Sequence, residues 1–203
     1  MQECLARTPD AFHLHGAALA DPSGRTTVLL LGESGAGKTT LTLALMARGF
    51  RPFGDDVVLL DEALRPQHFP RAFHIDERTR QLVTPLFAER PGATGGRQPW
   101  EHAGLPPGFC LPLHWAGPPV PVGMIVLPQA HGAPAPRLER QTVTDAAIRL
   151  LSYSTTLEHD PARALKAVSR LTAAAPCFAL QGGPLPATVD LVAATVTRVA
   201  PGA

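Results

Sequence analysis

Gly32-Glu33-Ser34-Gly35-Ala36-Gly37-Lys38-Thr39 constrains this chain more than any other stretch, because it fits G-x-x-x-x-G-K-[ST] without a mismatch. Glycines let the backbone curl until successive N–H groups converge on phosphate oxygens. A helix following the loop adds the positive end of its dipole. Its context is right for this purpose. Thr26 to Leu31 is β-branched and then continuously apolar, which reads as a strand buried on both faces. Lys38 to Arg48 reads as a helix, closed by Gly49. Lys38 is suited to the β- and γ-phosphates of a nucleotide, and the Thr39 hydroxyl to Mg²⁺. Glu33, Ser34, Gly35, Ala36, Gly37, Lys38, Thr39 and Thr40 are the candidate contacts to a nucleotide, with ATP and Mg²⁺ as the expected cofactors.

Around the loop the chain reads as α/β. Ala11 to Ala20 is a strand, with Asp21-Pro22-Ser23-Gly24 as the turn after it. Phe50 to Gly54 and Val57 to Leu60 are short strands, Phe69 to Ile75 is expected to pair back as a hairpin, and Glu77 to Leu86 to be a short helix. Residues 85–119 are rich in Pro and Gly and lack periodicity, so they read as irregular; Val120 to Leu127 is the next strand. The C-terminal part, 144–200, turns helical: one helix capped by Thr144, one opened by Asp160-Pro161, a short strand at Cys177 to Leu180, and a last helix over Thr188 to Val199. With 203 residues, 45% of them hydrophobic, the chain suits a single domain that buries about 70% of its unfolded surface. A net charge of +1 argues against a nucleic-acid binder, and no apolar run of about 18 residues offers a membrane span. Met1 to Asp10 lacks a secretory pattern and the three cysteines are scattered, so a cytoplasmic protein is expected.

Asp55 and Asp56 close the strand that follows the loop's helix. That placement brings them to the sheet edge where open α/β sheets bind ligands. One carboxylate can hold Mg²⁺ and the other can take a proton from an attacking hydroxyl; a shared negative field raises the proton affinity of each. Gly-Asp-Asp is also an ordinary polar turn. Asp61 competes, because Val57-Val58-Leu59-Leu60-Asp61 has the apolar-strand-then-acid look of a magnesium-binding segment.

Taken together, His15-Gly16, the apolar strand, GESGAGKT, the helix ending Ala47-Arg48-Gly49, and Gly54-Asp55-Asp56 resemble the catalytic core of HPr kinase/phosphorylase and its relatives. The match spans residues 12–61. It implies a phosphoenolpyruvate-carboxykinase-like P-loop core sheet with a helical C-terminal cover, and an enzyme that phosphorylates a serine of a peptide or small protein. Under the resemblance Asp55 is the catalytic carboxylate that activates the serine, Asp56 its acidic neighbour at the metal with Thr39, and His15 the histidine beside the γ-phosphate. It also demotes Asp61 to a turn. The full-length family carries a separate N-terminal domain and an E-[IV]-R-G segment that this sequence does not show. That weakens HPr as the substrate and phosphorylase activity; in its size and Pro-rich middle the chain looks more like the short kinases found with ribosomal peptide pathways, including lasso-peptide systems. A homo-oligomer fits the same reading.

Other residues carry weaker claims. Arg71 and His74 are in reach of phosphates or acceptor by position, and His13, two residues before His15, is expected on the opposite side of the strand from it. Trp100 and Trp115 suit ordinary packing better than a peptide lid. His102, His114, His131 and His159 show no metal-ligand spacing, Arg78 and Arg80 read as a solvated face, and Cys177 as an inert strand residue. Besides a peptide kinase, a kinase of a small metabolite and a nucleotide sensor without turnover both remain compatible with the loop.

Overall fold

The strand before the loop lacks the apolar–polar alternation of a half-buried strand because both of its faces are covered. The computed structural model describes residues 11–88 and 104–199. Its strands are β1 (Phe12–Ala20), β2 (Thr27–Leu31), β3 (Arg51–Gly54), β4 (Val57–Leu60), β5 (Pro66–Gln67), β6 (Phe73–His74), β7 (Phe109–Cys110), β8 (Val122–His131), β9 (Arg137–Arg140) and β10 (Cys177–Gly182). The helices are α1 (Lys38–Ala47), α2 (Glu77–Ala88), α3 (Val143–Ser152), α4 (Pro161–Ala174) and α5 (Leu185–Val199), with a 3-10 turn at Thr155–Glu158. The main sheet runs β5-β4-β1-β2-β8-β10-β9, and β3 also pairs with β1. Among these strands β2, β8 and β10 are mutually parallel, and the flanking pairs are antiparallel. This is a mixed α/β fold.

Two cores lie on the two faces of that sheet. Ala17, Leu19, Val28 and Leu30 pack with α1, α2 and α5. Ala18, Leu29 and Leu31, their neighbours in sequence, pack on the opposite face with α3 and α4. Successive side chains of a strand point to opposite faces, so Val28 to Leu31 is apolar throughout. Leu43 and Leu45 of α1 are fully buried, and truncating either to alanine would cost about 2–5 kcal/mol. The helical cover is thus split: α3 and α4 take one face, and α5 joins the loop's own helix on the other.

Long, strongly apolar elements fall where the sequence places them; short ones do not. Pro66–Gln67, not Phe69 to Ile75, pairs back on β4. Phe73–His74 instead pairs with Phe109–Cys110, inside the segment expected to be irregular. Two-residue strands have no period to read. The four residues of β9 are Arg-Leu-Glu-Arg, an edge strand whose charges hide it. The cap of α3 is Thr142, which accepts from the Asp145 amide, rather than Thr144. Residues 89–103 of the Pro-rich segment, Trp100 and His102 among them, lie outside the described residues.

β1 is the strand that assembles the site. Residues 12–15 pair with β4 on one edge, and residues 18–20 pair with β3. On the other edge β2 covers only residues 16–20. Before that point the segment after α3 takes over: the His15 amide donates to the Tyr153 carbonyl at 2.8 Å and the His13 amide to the Thr156 hydroxyl at 2.9 Å. Gly16 stands at this junction. A Cβ there would lie 2.4 Å from the Leu30 carbonyl oxygen, so only glycine fits.

Candidate active site

Gly35 and Gly37 hold the loop in the left-handed region, with φ of 81° and 80°. Gly37 is the N-cap of α1, and no side chain caps that end; the first turn also lacks an acidic residue. By contrast α3 and α4 are capped by Thr142 and Asp160. The leading N–H groups of α1 are left to a partner from outside the helix, which is what an anion site at a helix start requires. Lys38 folds over its own loop. Its Nζ donates to the carbonyl oxygens of Gly32 and Glu33, at 2.8 Å each. Burial pulls the ammonium pKa below its usual value, opposed by the charges of Asp55 and Asp56.

Asp55 lies at the bottom of the site, only 3% exposed. Its Oδ2 accepts from the Thr39 hydroxyl at 2.8 Å, while Oδ1 is buried with no hydrogen-bond partner. Burial raises its pKa to about 6; the Thr39 hydrogen bond, the Asp56 backbone amide and Lys38 oppose the rise, and the charge of Asp56 adds a smaller push upward. Desolvation therefore outweighs the neighbouring carboxylate that the sequence suggested as the cause.

Asp56 plays a different part. It takes φ 67°, a conformation that aspartate tolerates better than most residues, and so turns the chain from β3 into β4. Its carbonyl oxygen receives the Gly16 amide at 3.2 Å and lies 3.0 Å from His15 Nδ1. A carbonyl only accepts, so Nδ1 is the donor in this contact. The Asp56 carboxylate is half exposed and sits 3.7 Å from the Arg71 guanidinium. The turn is tightly packed as well: a Cβ on Gly54 would meet the Val57 and Phe69 carbonyl oxygens at 3.1 and 3.2 Å. His15, Lys38, Thr39, Asp55 and Asp56 thus gather where β1, the loop and the β3–β4 turn meet. Thr39 touches Asp55 rather than Asp56.

The competing residues separate in space. Asp61 caps its own turn, accepting from the Arg65 amide at 2.9 Å and Gln67 Nε2 at 3.1 Å, at the far end of β4 from Asp55. Arg71 reaches the site; His74 stacks edge-on against Phe109 instead. His13 is buried on β1, on the same side of the strand as His15 and not the opposite one, since side chains two apart share a face. Trp115 packs edge-on against Phe73, the ordinary packing role. Cys177 is buried and its thiol pushed up to about 12 by desolvation, so it is inert. Among the described residues, no three His, Cys, Asp or Glu side chains converge as a metal site.

One feature escapes a reading of the sequence. A cleft of about 420 Å³ opens beside Gly35 and Gly37, between the start of α2 and the start of α5. Arg78 and Leu82 of α2 line it. The Thr40 and Thr79 hydroxyls, 3.0 Å apart, fasten α2 to α1 beneath them. Only the Asp76-x-x-Thr79 spacing before the helix hints at this arrangement.

No family model matches the sequence, and no curated protein matches it. Among solved structures the chain is similar to the Hpr(Ser) kinase/phosphatase from Coxiella burnetii, at 14% sequence identity and a TM-score of 0.38, over 92% of this chain and 93% of that one.

Proposed function

We propose that the chain is a kinase that transfers the γ-phosphoryl group of ATP, with Mg²⁺, to a serine hydroxyl of a peptide or small protein. The observation that carries this reading is Asp55: a buried carboxylate with a pKa near 6, one oxygen held by Thr39 and the other without a partner, beside the loop lysine. Binding a nucleotide needs no such group. Holding an unpaired carboxylate oxygen in the interior costs stability, which disfavours a sensor that binds without turnover.

In this reading Asp55 Oδ1 accepts the serine proton as the serine oxygen bonds to the γ-phosphorus, and the bond from that phosphorus to the β–γ bridging oxygen breaks to release ADP. Lys38 leaves the Gly32 and Glu33 carbonyls for the phosphate oxygens, and the uncapped start of α1 takes the same anion. His15 stands by with Nδ1 held by the Asp56 carbonyl. The oxygens present suit a hard cation. A hydroxyl has one proton and two lone pairs, so Thr39 can hold Mg²⁺ and still donate to Asp55, with Asp56 completing the protein ligands. Mg²⁺ would supply charge neutralisation at the β- and γ-phosphates. The resemblance to short HPr-kinase-like proteins favours a ribosomal peptide precursor as acceptor over a metabolite.

Incubation with labelled ATP, Mg²⁺ and a panel of serine-bearing peptides tests this directly. Wild type should form phosphoserine, Asp55→Asn should lose it by at least about 100-fold with ATP binding nearly intact, and Asp61→Asn should behave as wild type. An active Asp55→Asn protein, or an Asp61→Asn protein that binds ATP but is inactive, would return the catalytic role to Asp61.

A further inference from the structure

We infer that the first turns of α2 form the second wall of the nucleotide site, with Arg78 binding the polyphosphate and Leu82 covering the base. The inference rests on the loop being a nucleotide site and adds residues that the loop motif does not contain.

Arg78 and Arg80 look alike in sequence but part company in space. Arg80 turns outward and pairs with Glu77, its Nε 2.9 Å from the carboxylate. Arg78 lines the cleft that also holds Gly35 and Gly37. What aims it there is the fastening beneath: Thr79 is buried, shares a hydrogen bond with Thr40 of α1, and receives its own cap from Asp76, whose Oδ1 lies 2.6 Å from the Thr79 amide. Asp76 also lines the cleft; its Oδ1 accepts from the Thr79 amide, and that bond together with the charge of Arg78 holds its carboxyl below the usual range, so a negative charge stands beside the guanidinium. Its guanidinium, on the wall of the same cleft as the loop's glycines, supplies fork-shaped donors suited to phosphate.

Leu82 lies one turn on, at the i+4 position, so it shares the face of Arg78. It is 47% exposed, one of four large apolar side chains that stand open among the described residues, and it lines the cleft. Opposite it stand Pro184 and Leu185 at the start of α5. The cleft thus joins a guanidinium on the first turn of α2 to an apolar side chain one turn along the helix. A nucleoside triphosphate likewise joins a charged end to a flat base. The volume, about 420 Å³, falls within the range of small-ligand sites.

Calorimetry with two probes, ATP and inorganic tripolyphosphate, tests both halves. Arg78→Gln should raise the Kd of both by about tenfold or more, as loss of a charge-assisted contact does. Leu82→Ala should raise the Kd of ATP by about three- to tenfold and leave tripolyphosphate within twofold. Arg80→Gln, the matched control, should change neither. All three side chains are exposed, so melting temperatures should stay near wild type. If Arg78→Gln changes ATP affinity by less than threefold while Lys38→Ala weakens it by about tenfold or more, Arg78 is not a nucleotide ligand. A Leu82→Ala effect on ATP below threefold, or an equal effect on tripolyphosphate, removes Leu82 from the base. Unchanged ATP binding by Lys38→Ala would instead overturn the underlying reading of the loop.

Discussion

Asp55→Asn should make the free protein more stable and the catalyst much worse, and the two effects can be measured apart. The Asp55 carboxyl is shifted from an ordinary 3.8 to about 6, chiefly by burial. At 1.36 kcal/mol per pH unit, that rise corresponds to about 3 kcal/mol spent on keeping the group ionised in the fold at pH 7. The sign follows from proton binding. Between about pH 4 and pH 6 the native state holds the proton that the unfolded chain has released, so stability falls as pH rises through this window and is flat above it. Asparagine is neutral throughout and its oxygen can still accept from Thr39. Its expected gain is therefore about 1–3 kcal/mol at pH 7, fading to nothing near pH 4. Urea unfolding of both proteins at pH 4, 5, 6 and 7 gives the difference directly. Turnover supplies the opposite sign: the kcat/KM of wild type should climb with an apparent pKa near 6, while the variant stays at least about 100-fold lower. An asparagine variant that is no more stable at pH 7, or whose stability difference ignores pH, would refute the claim that burial sets this carboxyl's pKa.

Three further outcomes are expected. Lys38→Ala should weaken ATP binding by about 10- to 100-fold, the loss of a contact contributing about 1.5–3 kcal/mol, as read by calorimetry. Phosphoserine formation should stop in EDTA and return with Mg²⁺ or Mn²⁺, and Asp56→Asn should raise the Mg²⁺ concentration needed for half-maximal rate more than it changes the KM for the acceptor. Gly16→Ala would place a Cβ 2.4 Å from the Leu30 carbonyl oxygen, so thermal unfolding should show a loss of about 1–3 kcal/mol, and the junction that holds His15 against Asp56 should be disturbed with it.

How much of this was legible depends on how far apart the causal residues lie. The G-x-x-x-x-G-K-[ST] loop could be read because its parts are contiguous: the buried strand, the left-handed glycines and the uncapped helix start all fall within one stretch of chain. The long apolar strands and amphipathic helices were readable for the same reason, since period and capping are local properties. Asp55 was half legible. Its position after β3 could be argued from topology, but its pKa could not, because desolvation depends on packing contributed by distant parts of the chain. The sequence therefore pointed to Asp56 as the cause of the shift, when burial is the larger one. Asp61 shows the converse: its four preceding apolar residues mimic a metal-binding strand, yet β4 runs antiparallel to β1 and carries it to the opposite end from Asp55. The wall formed by α2 was not legible at all. Arg78 lines the cleft while Arg80 pairs with Glu77, and the Thr40–Thr79 hydrogen bond that docks this turn joins residues 39 apart, so nothing in the spacing of the two arginines foretells the difference. In this fold, the residues that follow from local pattern form the glycine loop and the uncapped helix start, and those set by long-range contacts bury Asp55 and shape the rest of the cleft.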